Sequence, residues 1–507
     1  MGMDIESLAR AIADRSPQHA HVSASATLEA YIAAMVAAAP LNALVADRFD
    51  QARVEASAID AALEAGKEVG EYAGVPITVK ECFAVAGMPN TSGVAARTGV
   101  RVPPGGDAPV VTALKAAGFV IMGVTNVSEA CMWFESHNSV YGTTCNPYDL
   151  SRTCGGSSGG EAALVGAGAS LGGVTSDVGG STRMPAFFNG VFGLKPSPGR
   201  VPNLGQYPLG EGEIQHILST GPVARRAADL LPLLRVMSSP TAATAAAAAP
   251  NGPLWNEWSA VEELPPLPRQ LPAFDARRLR VLTCLTHPCD VPLAVTRVQP
   301  AMIGALARAA GVLQAAGASL EAREYPAFGK AFDMWSAKLA LARRVPFKSH
   351  IGIPDHEWVI GHLAECVLGA SLHTFPALLL ALLEDIGQLM PGRTQRSAAL
   401  ADELGAELNA ELSASSEAHD ASVLLFPSFP YPAPRHKTTL FAPLDWVFTA
   451  LFNVLKLPVV QVPMGIDHES RLPLGVQVVG ARGSEVLLLQ VAAALEAATG
   501  GWMRPSL

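Results

Sequence analysis

Apolar and polar positions along this chain fall into helical spacing in some stretches and into short β-branched or apolar runs in others. Thr27-Leu28-Glu29 opens an Ala-rich stretch with Tyr31, Met35 and Leu41 at helical spacing, and Val54 to Leu63 continues it. This predicts N-terminal helices within about residues 1–70. Gly74-Val75-Pro76-Ile77-Thr78-Val79-Lys80 is β-branched and starts at a proline, so it reads as a short strand with Lys80 near its C-terminal end. Asp107 is placed to cap a helix over Ala108 to Ala117, with Gly118 stopping it and a buried strand following over Phe119 to Val124. Helix followed by strand indicates an α/β sheet.

Residues 135–160 are full of turn formers, including Asn146-Pro147 and Gly155-Gly156, and read as a long loop of the kind that carries function. Glu161 to Ala169 reads as helix, Ser170 to Ser176 as extended, Asp177 to Ser181 as a tight turn, and Met184 to Phe188 as a further helix or loop. Residues 237–272 change character. Pro240, the Ala245 to Ala249 run, Pro250, Pro253, Pro265, Pro266 and Pro268 predict a low-complexity surface connector before a strand at Leu279 to Thr283. Residues 297–420 are Ala/Leu-rich and read as a variable helical insertion, with Leu378 to Leu383 as core rather than membrane contact. Val423 to Pro427, Val459 to Val462 and Val476 to Val479 read as strands closing the sheet, and Glu485 to Ala497 as a last amphipathic helix.

Composition narrows the classes. The 507 residues are 49% hydrophobic and 16% charged, which is a globular composition. A net charge of −9 without a basic stripe argues against a nucleic-acid partner. No run of 18 apolar residues is free of charge or breakers, since even Trp446 to Val462 contains Asn453, Lys456 and Pro458, so no membrane span is expected. Met1 to Glu6 lacks the basic start of an export signal, and Glu6 stands where myristoylation wants Ser or Thr. The seven cysteines show no ligand spacing, so buried free thiols in a cytoplasmic protein are expected, with no metal.

The chemistry concentrates in two Ser/Gly clusters, Gly155-Gly156-Ser157-Ser158-Gly159-Gly160 and Asp177-Val178-Gly179-Gly180-Ser181. A phosphate cradle would need Gly-Lys-Ser/Thr or Gly-x-Gly-x-x-Gly, and neither is present. The first cluster satisfies Gly-x-Ser-x-Gly, but a nucleophile elbow needs an apolar strand before its serine, and Asp149 to Cys154 is polar. None of the 12 histidines is marked as its base. In the second cluster the glycines allow successive backbone N–H groups of Val178, Gly179, Gly180 and Ser181 to face one cavity. An oxyanion hole needs that arrangement, one such donor typically supplying ~3 kcal/mol. Ser181 then requires a base, and Lys80, at the end of an apolar strand, is a lysine that burial could activate. A structural ion pair with a carboxylate is the alternative reading of Lys80.

These segments resemble the amidase signature family. Gly74 to Glu81 is similar to its lysine strand, Gly155 to Gly160 to its Gly-Gly-Ser-Ser-Gly-Gly loop, and Asp177 to Pro185 to its nucleophile turn. Thr125 to Glu129, Tyr141-Gly142, Asn146-Pro147, Gly193 to Pro196 and Leu472 to Gly480 extend the likeness. The run from Cys131 to Gly160, with Met132-Trp133-Phe134-Glu135-Ser136, is most similar to the fatty acid amide hydrolase-like branch. The resemblance implies Ser181 as nucleophile, Ser157 as the bridging serine, often preceded by a cis peptide, and Lys80 as base. Asp177 and Arg183 would hold the oxyanion turn, and Ser158 and Ser176 would add hydrogen bonds.

The fold so implied is α/β, a single large α/β/α domain over residues 1–507. In it a twisted mixed sheet is flanked by helices around a signature core of about residues 71–230. The expected function is a serine amidohydrolase cleaving amides, and also esters or carbamates as a urethanase would, of small apolar acyl or aryl substrates through an acyl-enzyme. The alternative is the amidase subunit of a tRNA-dependent amidotransferase releasing ammonia. No cofactor is expected, the partners are small-molecule substrates, and a homodimer is the candidate assembly. Cys131 and Met132 are candidate substrate contacts; Trp133, Phe134, Phe187 and Phe188 fit either a pocket or the core.

Overall fold

The computed structural model describes residues 2–14, 19, 21–210, 212, 214–249, 264–291, 294–342, 345–387 and 391–506. In chain order the strands are β1 (Leu44–Asp47), β2 (Pro76–Lys80), β3 (Val120–Thr125), β4 (His137–Asn138), β5 (Gly142–Thr143), β6 (Cys145–Asn146), β7 (Asp149–Thr153) and β8 (Gly172–Asp177). They continue with β9 (Phe192–Lys195), β10 (Ser219–Ala224), β11 (Leu279–Cys284), β12 (Ser319–Arg323), β13 (Ala421–Pro427), β14 (Val459–Ile466) and β15 (Pro473–Val479). Eleven form one sheet in the order β1-β3-β2-β8-β10-β9-β14-β15-β13-β11-β12. It is mixed: β2 is parallel to β3 and β8, the pairs from β8 through β13 are antiparallel, and β11 is parallel to β13 and β12.

Alternation along the central strands divides the apolar side chains between two cores. Val281, Val423, Leu425, Val460, Val462, Val476 and Val478 belong to one. Their sequence neighbours Leu282, Leu424, Phe426, Val459 and Val479 belong to the other. A sheet apolar on both faces needs helices on both. The Pro300–Ala315 and Glu485–Thr499 helices supply the first core, the Ala331–Ala342, Pro391–Ser413 and Val447–Val454 helices the second. This is the expected α/β fold. A satellite core joins Val94 and Ala130 to Phe347, Ile351, Ile353, Val359, Ala377, Leu378 and Ala381.

The structure departs from the sequence expectations in several places. Asp107 does not cap its helix, which runs Pro109–Ala116. Its carboxylate instead accepts from Ala86 N–H at 2.7 Å and Lys115 Nζ at 2.7 Å, since a helix opening on proline needs no partner at that position. The Ala run in the supposed connector is helical over Pro240–Ala248, where Ser239 caps and alanine has the highest helix propensity; residues 250–263 of that stretch lie outside the described residues. Strand β1 interrupts the N-terminal helices, the 135–160 loop contains the two hairpins β4–β5 and β6–β7, and β12 lies inside the supposed helical insertion. The thiols of Cys82, Cys154 and Cys284 are buried and free, whereas Cys131, Cys145, Cys289 and Cys366 are free but only half-buried. No helix among the described residues is long and apolar enough to cross a membrane.

Candidate active site

Strand β2 ends on Lys80, and its five residues are all buried. Gly74 makes this possible: its φ of +81° suits glycine, and a Cβ there would stand 2.6 Å from Ala24 Cβ. The Lys80 side chain is 0% exposed. Its Nζ lies 2.8 Å from Ser157 Oγ, 3.0 Å from Ser176 Oγ and 3.5 Å from the Ser176 carbonyl. Among the described residues its hydrogen-bond partners are hydroxyl and carbonyl oxygens and no carboxylate forms a salt bridge with it, although the buried Glu161 acts on it through space.

Ser157 follows a cis Gly156–Ser157 peptide. Gly156 packs against the backbone of the Trp133–Glu135 segment, where a Cβ would be 2.5 Å from Trp133 O. Ser136 Oγ donates to Ser157 O at 3.3 Å and accepts from Gly159 N–H at 2.9 Å, which ties this loop to the start of the Gly159–Gly166 helix. Ser158 Oγ donates to Ser176 O at 3.4 Å, and Ser158 N–H to Ser181 O at 3.2 Å. The two Ser/Gly clusters are thereby joined.

The turn after β8 is built on Asp177. Its carboxylate accepts from Gly180 N–H at 2.7 Å, Thr182 N–H at 3.1 Å and Asn453 Nδ2 at 3.0 Å, and pairs with Arg183 Nε at 3.0 Å, both side chains fully buried. Burial alone would raise its pKa, but the Arg183 charge and hydrogen bonds hold it at about 2. Arg183 in turn donates to Gln477 Oε1 at 2.6 Å and Asn453 Oδ1 at 2.7 Å.

The candidate oxyanion donors divide. Gly180 N–H is engaged by Asp177, while among the described residues the N–H groups of Val178, Gly179 and Ser181 have no protein acceptor. Two distant side chains orient these peptides. Trp335 Nε1 donates to Val178 O at 2.9 Å, which points the Gly179 N–H the opposite way, and Thr449 Oγ1 donates to Gly179 O at 2.8 Å. Gly180 has a φ of +119°, and a Cβ there would fall 1.9 Å from Thr449 Oγ1, so only glycine fits. Trp335, Thr449, Asn453 and Gln477 were not singled out from sequence; they reach the turn from 157 to 294 positions away.

Two cavities meet at Ser181. One of about 400 Å³ is mainly apolar, with Met132, Trp133, Trp335, Leu380, Leu383 and Trp446 in its wall. A second of about 70 Å³ is lined by Ser157, Ser176, Gln206, Tyr207 and Leu218. Cys131, Met132, Val178 and Ser181 border both. Phe134 also lines the larger cavity, whereas Phe187 and Phe188 are core residues that line neither. Leu378 and Ala381 are buried as expected, but Leu379, Leu380 and Leu383 of the same run form cavity wall.

Behind Lys80, Glu161 is fully buried. It accepts from Thr78 Oγ1 at 2.6 Å, and desolvation lifts its pKa to about 8. Glu81 is raised to about 7 by the same cause, although Thr91 and Ser92 donate to it. Among the described residues no group of His, Cys, Asp and Glu side chains is arranged to hold a metal ion.

Residues 26–489 match the family model described as Amidase. Fatty-acid amide hydrolase 2-B of Danio rerio is 37% identical over 96% of this chain and 88% of its own length. Fatty-acid amide hydrolase 2 of Homo sapiens is 37% identical over 92% and 84%. Among solved structures, 6-aminohexanoate cyclic dimer hydrolase complexed with substrate superposes with a TM-score of 0.74 at 26% identity, covering 99% of this chain and 98% of that one.

Proposed function

The chain belongs to the amidase signature family and is an amidohydrolase; from that premise we propose that it cleaves small amides of apolar acyl or aryl acids through an acyl-enzyme on Ser181. The observation that carries this reading is the contact of 2.8 Å between Lys80 Nζ and Ser157 Oγ in a buried site where, among the described residues, Lys80 forms no salt bridge, opening on a cavity that Ser157 shares with Ser181. Lys80 acts as base through Ser157: Ser157 gives its proton to Lys80 Nζ and takes that of Ser181, whose oxygen attacks the carbonyl. The negative charge formed on the carbonyl oxygen is met by the N–H groups of Val178, Gly179 and Ser181.

Collapse of the tetrahedral intermediate breaks the C–N bond, and the proton returns from Lys80 through Ser157 to the leaving nitrogen. Ser157 borders the smaller cavity and not the larger, so the amine departs through the smaller and the acyl group occupies the larger. Water then repeats the relay and frees the acid. Esters and carbamates enter the same cycle, because only the leaving atom differs. The size and apolar lining of the larger cavity favour this reading over an amidotransferase subunit, whose glutamine or asparagine side chain is short and polar.

Turnover of acyl p-nitroanilides, fatty amides, free amides and carbamates by the isolated chain tests the proposal. Lys80→Ala should lower kcat at neutral pH by ~10²–10⁴-fold, and Ser181→Ala should abolish both turnover and labelling by a fluorophosphonate. Wild-type activity in Lys80→Ala would overturn the lysine-base mechanism.

A further inference from the structure

Glu129 is 2% exposed, and the partners of its carboxylate come from the far side of the chain. Oε2 accepts from Thr374 N–H at 2.6 Å and Oε1 from His373 Nδ1 at 3.0 Å. These two residues open the Phe375–Gly387 helix, whose Pro376, Leu379, Leu380 and Leu383 wall the larger cavity. On the other side, Glu129 starts the short turn Glu129–Cys131, in which Ala130 (φ 49°) and Cys131 (φ 60°) both sit in the left-handed region that side chains with a Cβ avoid. That turn aims Cys131 and Met132 at both cavities.

We infer that Glu129 is a positioning residue for acyl selectivity, a latch that fixes the helix forming the far wall of the larger cavity to the turn beside the nucleophile. The inference rests on the reading that the acyl group lies in that cavity. A buried carboxylate is kept only where donors satisfy it, and a backbone N–H at a helix start is a directional donor whose attraction the helix dipole reinforces. The latch therefore fixes the start of the helix, whose later turns are held by Phe347 N–H donating to Glu384 at 2.7 Å and by the apolar core that Ala130 shares with Leu378 and Ala381. The turn itself has other anchors. Ala130 N–H donates to Ser92 O at 2.8 Å, and Trp133 N–H to Ser128 Oγ at 3.2 Å. Loss of Glu129 thus loosens the first turns of the helix and displaces Leu379 and Leu380, while Ser181, Ser157 and Lys80, which Glu129 does not touch, stay in place.

The test compares acetyl and decanoyl p-nitroanilides with wild type, Glu129→Ala, Glu129→Gln and His373→Ala. Glu129→Ala should raise KM for the decanoyl substrate by ~10-fold with kcat within ~3-fold, and leave both constants for the acetyl substrate within ~3-fold. Glu129→Gln, which can still accept from Thr374 N–H, should recover part of the loss, and His373→Ala, which keeps that bond, should raise the decanoyl KM by ~3-fold. An equal fall on both substrates, or no change on either, overturns the latch. If Glu129→Ala does not fold, His373→Ala and Glu129→Gln decide by the same criterion. Decanoic acid binding to Ser181→Ala, followed by quenching of tryptophan fluorescence from Trp335 and Trp446, separates the two readings. Binding that weakens at least ~5-fold with Glu129→Ala, in a protein that cleaves no anilide, keeps the latch and removes the hydrolase reading. Chain-length preference that ignores both positions removes the latch and keeps the hydrolase.

Discussion

Glu161 shows how much a single buried side chain governs here. One of its carboxyl oxygens accepts from Thr78 Oγ1, and the Thr78 and Thr125 hydroxyls offset only part of the effect of burial. Its pKa is raised from 4.5 to about 8 by desolvation, so the folded protein holds a proton that the unfolded chain releases at lower pH. The folded state therefore binds more protons at this group between these values, and its contribution to stability is fully present below about 4.5 and is lost as pH rises from there through about 8. Glu161→Gln removes that dependence. Its melting temperature should be near that of wild type at pH 5 and higher by ~2 °C or more at pH 8.5, measured by differential scanning calorimetry. A gap that does not widen with pH would show that the carboxyl is ionised throughout.

At the scale of elements, the turn after β8 takes its shape from helices that approach it from the second core. Trp335, on the Ala331–Ala342 helix, holds the Val178 carbonyl and so aims the Gly179 N–H. Trp335→Phe keeps an aromatic ring in the cavity wall but removes the donor. It should lower kcat by ~10-fold or more with KM nearly unchanged, a smaller loss than removing an oxyanion donor outright. Equal change in KM and kcat would assign Trp335 to substrate contact alone. This layer was closed to sequence reading for a physical reason. Ser181, Ser157 and Lys80 stand in short local patterns of glycine and strand residues that announce themselves. Trp335, Thr449, Asn453 and Gln477 look like ordinary helix and strand residues and gain their meaning only when the sheet brings them to the turn.

For the whole molecule, short β-branched and apolar runs were legible enough to place β2, β3, β8, β11, β13, β14 and β15 of the α/β sheet, and helical spacing its last helix. The pattern missed β1, β9, β10 and β12 and the hairpins within 135–160, most of them short, and the Pro240–Ala248 helix, where low complexity suggested a connector although alanine favours a helix. Nor could it show that the run at Leu378 to Leu383 divides between core and cavity, because helical periodicity marks an apolar face without saying what fills the space opposite. Leu380→Trp tests that division by filling the cavity from its far wall. It should cut kcat/KM for a decanoyl anilide by ~10-fold and leave the acetyl anilide within ~2-fold, compared in parallel assays.

The small core shared by Val94, Ala130, Phe347, Leu378 and their neighbours is separate from the two that hold the sheet. Mutations that repack it reach the wall of the larger cavity without passing through Asp177, Arg183 or Lys80. If the larger cavity holds the acyl group as proposed, a change of diet and the preservation of chemistry fall to different parts of one polypeptide, and selection on the first need not cost the second.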